Sequence, residues 1–268
     1  MIKNVYMLDR NVIDRLGRSY DALRDDQKEM VDKIKGYDQA DSLFSCLLSS
    51  VEGEKGRPHN FEEFKSVLLK ESNILRRFLN KGKTDSYLLP NSQERVFEAF
   101  SDDVLMPNKL SKEFLIEVAP LIYENTGKAK IVEKCEELTE ICKKIIGVAD
   151  LTYILSLAVV CRNDNARRII KPSIKNYDPY NAVNDISILK MVCNLRGQTP
   201  NCNVQLVSHD KSLNEIASTI NLKLNGVELG EADDIHSYKL DLPRSLFGDI
   251  DEEIYWKLID MIEGFSLN

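Results

Sequence analysis

The sequence predicts an α/β protein with a central parallel sheet flanked by helices and a helical insertion. Two similar segments carry this prediction: a short apolar run that ends in Asp9, and a later one, in "NVQLVSHDKSLNEIA", that ends in Asp210. Each run leads straight into a helical pattern, and helical patterns dominate between them. Strands that alternate with helices favour parallel pairing beneath a helical cover.

In the first half of the chain, the run at 5–8 is apolar on both faces, which is typical of a fully buried strand. The apolar residues of 61–79 recur at helical spacing, which predicts an amphipathic helix. The predicted elements are, in order, this strand, a helix at 11–16, an exposed charged helix at 21–35, an apolar helix at 40–51, a loop at 54–60 and the amphipathic helix.

In the second half, residues 149–160 are apolar nearly all round, which indicates a buried helix. The predicted elements are a turn-rich connection at 81–92, helical stretches over 111–146 interrupted at Pro120 and Gly127, the buried helix, a helix at 181–196, and the second strand before Asp210.

The composition is that of a soluble globular protein, with 43% hydrophobic and 29% charged residues. No apolar run reaches the roughly 18 residues that a membrane span requires. The first residues lack the pattern of a signal peptide, so we expect a cytoplasmic location. The net charge of −7 argues against a globally basic nucleic-acid-binding surface, but it permits a local basic patch or carboxylates around a metal ion.

The cysteines and histidines argue against a zinc site. None of the six cysteines forms a CxxC pair, and the three histidines are far apart. We therefore interpret the cysteines as buried core thiols.

Asp9 and Asp210 each follow a predicted strand, where the functional crevice of a parallel sheet lies. Neighbouring carboxylates repel one another, and a hard divalent cation removes that conflict. The alternative is that each aspartate caps the helix that follows it. The matched pair favours the metal site.

The segments "VYMLDRNVID" and "VQLVSHDKSLNEIA" resemble the first and last motifs of the PIN-domain nucleases. That family has an α/β fold whose carboxylates hold Mg²⁺ or Mn²⁺ for phosphodiester hydrolysis, usually of RNA. The resemblance implies that Asp9 is the first acid, with Asn11 as an accompanying substrate-binding residue, and that Asp210 is the last.

The resemblance also implies a second and a third acid. Glu52, in "LLSSVEGEKG", is the candidate for the second, and Asp185, in "NAVNDISILKMVCNLRG", is the candidate for the third. Asp150 is a rival for the third acid, or the N-cap of the buried helix. We prefer Asp185 because only its helix leads directly into the Asp210 strand. The long interval between Glu52 and Asp185 predicts an insertion at about 61–146 within a single PIN-like domain, 1–268.

The implied activity is metal-dependent hydrolysis of RNA, in which Asp9, Glu52, Asp185 and Asp210 hold Mg²⁺ or Mn²⁺ and the ion activates a water molecule. Motifs of competing chemistries (GxxxxGK[ST], GxGxxG, GxSxG and HExxH) are absent from the sequence.

Two groups of cations are candidates for phosphate contacts, although solvated helix faces are the alternative for both. Tyr177 and Tyr180 are candidates for stacking on unpaired bases, or for packing. The preferred cation group is Arg167, Arg168, Lys171 and Lys175, and the other is Arg76, Arg77, Lys81 and Lys83.

Two other functions remain open. One is a catalytically silent PIN-like module that binds RNA or a protein. The other is a DNA-directed nuclease in defence or in a toxin–antitoxin pair. The expected partners are RNA, including single-stranded RNA, and a protein inhibitor or a second copy of the chain. No membrane partner is expected.

Overall fold

A computed structural model describes residues 1–51, 57, 59–224 and 238–267. The strands are β1 (Asn4–Leu8), β2 (Ser42–Ser45), β3 (Lys83–Thr84), β4 (Asn203–Val207), β5 (Asn221–Leu224) and β6 (Tyr238–Asp241). The α-helices are α1 (Arg10–Leu16), α2 (Asp25–Tyr37), α3 (Leu47–Val51), α4 (Phe61–Phe78), α5 (Gln93–Tyr123), α6 (Ile131–Ile145), α7 (Leu151–Val160), α8 (Asp164–Ile170), α9 (Tyr180–Gln198), α10 (Lys211–Thr219) and α11 (Glu252–Glu263).

The central feature is a four-stranded, all-parallel sheet in the order β3-β2-β1-β4. β1 pairs with β2 on one side, where Tyr6 lies opposite Phe44, and with β4 on the other, where Leu8 lies opposite Val207. Helices flank this sheet, which confirms the α/β class. β5 and β6 form a separate two-stranded sheet.

The apolar segment at 40–51 is not the single helix that its sequence predicts. Its first half is β2, and only Leu47–Val51 is helical. A short apolar run suits a buried strand as well as a buried helix, so periodicity cannot distinguish them. Pairing with β1 makes this segment a strand, because Asn4 through Met7 of β1 align with the four residues of β2.

The helix predicted at 61–79 is confirmed as α4, and its first turn carries a capping box. The Asn60 side chain accepts from the Glu63 amide at 3.0 Å, and Glu63 Oε2 accepts from the Asn60 amide at 3.0 Å. Further along the chain, α5 runs through Pro120 instead of stopping there, and it ends at Tyr123, within one turn of that proline.

The described residues divide into two compact units. The first contains those within Met1–Asp102, Met191–Ser218 and Leu222–Lys239, and the second contains those within Asp103–Lys190, Thr219–Asn221 and Leu240–Asn268. The predicted insertion at 61–146 would include α4. The structure places α4 in the first unit, because its apolar face belongs to the core that covers the sheet.

The core of the first unit joins the apolar face of α4 to the sheet. Phe64, Leu68 and Leu75 of α4 are buried in one cluster with Leu8 and Phe44 of the strands. In the same cluster, the Tyr6 ring stacks on Tyr37, with ring centroids 4.5 Å apart. Burial of this apolar surface is the main favourable contribution to folding of the unit.

In the second unit, α7 is buried along its whole length, as its uniformly apolar sequence predicts. Five of the six cysteines are buried free thiols, which confirms their interpretation as core residues; the sixth, Cys202, is half-buried. No helix in the described part of the chain is long and apolar enough to cross a membrane.

Two adjacent leucines of α4 test the orientation of this helix. Leu68 is 0% exposed and Leu69 is 40% exposed. We expect Leu68→Ala to lower the free energy of unfolding by about 2–5 kcal/mol, because it leaves a cavity under the sheet. We expect the matched change Leu69→Ala to cost about 0.5 kcal/mol or less. Urea unfolding measures both, and equal losses would contradict the packing described for α4.

Candidate functional site

A polar residue stands at the carboxyl end of each strand of the parallel sheet. Asp85 follows β3, Ser45 ends β2, Asp9 follows β1 and Ser208 follows β4. Because the carboxyl ends of parallel strands meet at one edge, these four residues form a row there. This edge is the part of the first unit where the candidate site lies.

Asp9 occupies the centre of the row and is only 6% exposed. Its Oδ2 accepts a hydrogen bond of 2.7 Å from the Ser208 hydroxyl. The side chain makes no capping bond to α1, so the helix-cap alternative is wrong for this residue. No described cation pairs with the Asp9 carboxylate, which is therefore held by a neutral donor alone.

Asp210 has a different environment. Its Oδ1 accepts from the amides of Ser212 at 2.8 Å and Leu213 at 3.1 Å, so it caps α10. Its own amide donates to Ser208 Oγ at 3.0 Å. The Ser208 hydroxyl therefore links the two aspartates, since it accepts from the backbone of Asp210 and donates to Asp9.

A second buried carboxyl group comes from α4. Glu71 is 5% exposed, its Oε1 lies 3.9 Å from Arg10 Nε, and its Oε2 has no hydrogen-bond partner among the described residues. Burial raises the pKa of Glu71 to about 7; Ser49 and Arg10 lower that pKa and the Asp9 charge raises it. Glu71 thus lies beside Arg10, the residue that follows Asp9 at the carboxyl edge of the sheet.

A cleft of about 240 Å³ lies between α1 and α4, beside Glu71. Asn11, the predicted substrate-binding residue, lines it and is exposed. Both signs of charge meet in the cleft, which suits a ligand that carries phosphate together with hydrogen-bond donors. The lining residues are Arg10, Asn11, Asp14, Val67, Lys70, Glu71 and Ile74.

The row continues toward β3 with Asp85, whose pKa is raised as that of Glu71 is. Burial raises the pKa of Asp85 to about 6, while the Ser45 hydroxyl and the Cys46 amide favour its charged form. Burial also raises the pKa of the Cys46 thiol to about 12, with smaller contributions from the charges of Asp85 and Glu71. Cys46 is therefore a protonated core thiol at neutral pH and not a nucleophile.

Asp150 is a structural residue of the second unit. It caps α7, since its Oδ1 accepts from the Tyr153 amide at 3.0 Å, and its Oδ2 accepts from Lys190 Nζ at 2.7 Å. Asp185 lies on the part of α9 that belongs to the second unit, whereas Asp9 and Asp210 belong to the first. The role of Asp185 stays a prediction, and Glu52 lies outside the described residues, as does its neighbour Glu54.

The preferred cation group lies on and just after α8, in the second unit. Arg167 donates to the Tyr123 carbonyl at 2.8 Å, and burial lowers its pKa. Arg168 and Lys171 are exposed. Tyr177 donates its hydroxyl to the Ile170 carbonyl at 2.7 Å, which supports packing over base stacking for this ring.

The described residues contain no group of three or more His, Cys, Asp or Glu side chains arranged to hold a metal ion. Among the described residues, the sheet edge therefore holds the carboxyl groups of Asp9 and Glu71 and the helix-capping carboxylate of Asp210. These groups do not form a compact four-acid cluster.

Sequence reasoning missed Glu71 and Ser208. The pattern of α4 does contain a sign of Glu71, because Phe64, Leu68, Leu75 and Phe78 form a stripe of alternating three- and four-residue spacing in which Glu71 takes the middle position. An acid in the apolar stripe of an amphipathic helix must be buried. Ser208 carries no comparable sign, since a serine before a helix is a common turn residue.

No protein-family model, no curated protein and no solved structure matches this chain.

Glu71 predicts a dependence of stability on pH. Because its pKa is raised from 4.5 to about 7, the neutral form stabilises the fold below pH 4.5, and this stabilisation is lost as the pH rises through 7. We expect Glu71→Gln to match the wild type at pH 4 without metal. At pH 8.5 the variant should be more stable by up to about 3 kcal/mol, because one pKa unit corresponds to about 1.4 kcal/mol.

Urea unfolding at the two pH values, in chelator, measures this difference. Glu62→Gln is the matched control, since Glu62 is exposed in the first turn of the same helix and its replacement should leave the pH profile unchanged. A wild type that is as stable as Glu71→Gln at pH 8.5 would show that Glu71 is not strained by its burial.

The cap at Asp210 gives a second test of the site. We expect Asp210→Asn to change the free energy of unfolding by less than about 0.5 kcal/mol and Asp210→Ala to lower it by about 1 kcal/mol, because asparagine caps a helix as well as aspartate and alanine does not. Thermal unfolding in chelator measures both. If the asparagine variant loses as much as the alanine variant, the charge of Asp210 matters more than its cap.

Proposed function

We propose that this protein is a PIN-like, metal-dependent nuclease that hydrolyses RNA. The observation that carries the proposal is the buried Asp9 carboxylate. It lies at the carboxyl edge of the parallel sheet, does not cap its own helix, and directly precedes Arg10, whose Nε lies 3.9 Å from the buried Glu71 carboxyl. A fold gains nothing in stability from two such carboxyl groups, which points to a functional reason for their placement.

The donor set suits a hard divalent cation. Mg²⁺ is commonly held by one or two protein carboxylates, with water and substrate phosphate as its other ligands. Asp9 and Glu71 would supply the two carboxylates, and the Glu71 oxygen that lacks a hydrogen-bond partner among the described residues supports this assignment. Asp210 and Glu52 remain proposed ligands, directly or through water. A bound Mg²⁺ or Mn²⁺ would activate a water molecule and stabilise charge on the leaving oxygen.

The residues around the carboxyl groups have separate tasks in this proposal. Ser208 orients the Asp9 carboxylate through its 2.7 Å hydrogen bond. Arg10 and Lys70, which line the cleft, would contact the substrate phosphate, and Asn11 would donate a hydrogen bond to it. The pKa of Glu71, about 7, makes its carboxyl able to exchange a proton near neutral pH when no metal is bound.

A catalytically silent PIN-like module that binds RNA is the second candidate. It is favoured by the capping role of Asp210 and by the lack of a three-acid group among the described residues. The two candidates differ in one property, since only the nuclease requires a metal ion to act on RNA. A DNA-directed nuclease is separated from both by comparing single-stranded RNA and DNA as substrates.

We expect the purified protein to cleave single-stranded RNA with Mg²⁺ or Mn²⁺ and not in excess chelator. Asp9→Asn and Glu71→Gln should abolish cleavage, because each removes one of the two buried carboxylates. Mn²⁺ should raise the melting temperature of the wild type, by an amount equivalent to about 2.7 kcal/mol at a hundredfold excess over the dissociation constant. The Asp9→Asn variant should gain much less.

Asp21→Asn is the control for loss of an acidic charge, since Asp21 is exposed and distant in sequence from the strand ends. Cleavage that persists in chelator would rule out the metal-dependent mechanism, and cleavage that persists in Asp9→Asn would exclude Asp9 as an essential ligand. Binding of RNA without cleavage, together with a melting temperature that Mn²⁺ does not change, would support the silent module.

A further inference from the structure

An exposed arginine–tyrosine stack lies beside the sheet edge in the first unit. The guanidinium carbon of Arg76 is 4.7 Å from the centroid of the Tyr87 ring, and Tyr87 is 61% exposed. Arg76 Nη2 donates to the Ser86 carbonyl at 2.8 Å, which holds the guanidinium in place. The stack therefore covers one face of the ring with a fixed cation, and the high exposure of Tyr87 leaves its other face open to solvent.

The position of Tyr87 relates the stack to the candidate site. Tyr87 ends a short 3-10 turn, Asp85–Tyr87, that directly follows β3. Asp85, the first residue of this turn, belongs to the polar row at the carboxyl edge of the sheet. The bond from Arg76 to Ser86, the middle residue of the turn, joins the turn to α4, the helix that carries Glu71.

Two further cations are near the stack in sequence, Arg77 next to Arg76 in α4 and Lys83 in the strand that precedes the turn. Arg77 and Lys83 are exposed, and neither forms an ion pair with a described residue. An exposed leucine, Leu88, adjoins the tyrosine. Such cations and an exposed aromatic ring complement a nucleic acid. Its phosphates carry negative charge for the cations, and each base has a flat face that can stack on the ring.

We infer that the Arg76–Tyr87 stack is a platform for an unpaired base of a single-stranded nucleic acid, whose phosphates contact Arg77 and Lys83. That the bound nucleic acid continues from Tyr87 toward the carboxyl edge of the sheet rests on the proposed function. That a base stacks on Tyr87 does not. A duplex offers no free base faces, so the platform selects single strands. Every nucleic acid carries phosphates that can pair with Arg77 and Lys83, whereas a protein partner would need acidic residues at matching positions. We therefore prefer a nucleic acid as the ligand.

The test is binding of fluorescently labelled 12-nucleotide RNA and DNA single strands in chelator, followed by fluorescence anisotropy. Tyr87→Ala should weaken binding of single strands roughly 5- to 150-fold, the range measured when a stacking aromatic is removed. Tyr87→Phe should bind as the wild type does, because it keeps the ring. The matching duplex should bind more weakly than either single strand.

Tyr20→Ala is the matched control. Tyr20 is also an exposed tyrosine of the first unit with a cation over its ring, Lys35 Nζ at 4.3 Å from the centroid, but it lies in the segment before α2 and not in the turn that follows β3. Its replacement should leave nucleic-acid binding unchanged. If Tyr87→Ala binds single strands as tightly as the wild type, or if the wild type binds none, the platform is refuted and the surface is left to a protein partner.

The result is independent of catalysis. Loss of binding in Tyr87→Ala by a protein that does not cleave RNA would support the platform and contradict the nuclease. Cleavage by Tyr87→Ala with wild-type KM would contradict the platform and leave the nuclease intact. If both proposals hold, Tyr87→Ala should raise KM and leave kcat unchanged, because the stacked base is remote from the reacting phosphate.

Discussion

The pairing of β1 with strands on both of its sides is the constraint on which the rest of the structure depends. β1 aligns with β2 from Asn4 to Met7 and with β4 from Asn4 to Leu8. This double pairing brings the segment after residue 203 back to the first residues of the chain. It also places Ser208 beside Asp9, because Leu8 and Val207 are partners in the last step of the register. A shift of one residue would turn the buried side chains of β1 to the opposite face and separate the aspartate from its serine.

The same pairing explains why the sheet edge can hold buried acids. Carboxyl groups at the ends of parallel strands lie next to backbone amides and hydroxyls that are not used by the sheet, so each acid finds a neutral donor. Asp9 uses Ser208, and Asp210 uses the amides of α10. Glu71 has the poorest set of partners, and its raised pKa is the physical result. Such local conflicts with stability are expected at functional sites and are tolerated because the core beneath them is well packed.

The two aspartates that the sequence presents as a pair have unlike roles in the structure. Their sequence contexts are the same, an apolar strand that ends in an acid before a helix, and either residue fits the preferences for a helix cap. Asp210 caps its helix and Asp9 does not. The difference arises from the serine two residues before Asp210, which offers its hydroxyl across the sheet to Asp9 and has no counterpart before Asp9 itself.

The sequence by itself determined the elements whose patterns are long or strongly biased. The amphipathic α4, the uniformly apolar α7 and the strand that ends at Asp9 follow from local periodicity, and so does the parallel α/β class. Only the tertiary structure decided that 42–45 is a strand, that α4 covers the sheet, and that Glu71 lies beside Arg10, the residue after Asp9. The physical reason is that periodicity records which side of an element is buried, whereas pairing and packing decide what that side is buried against.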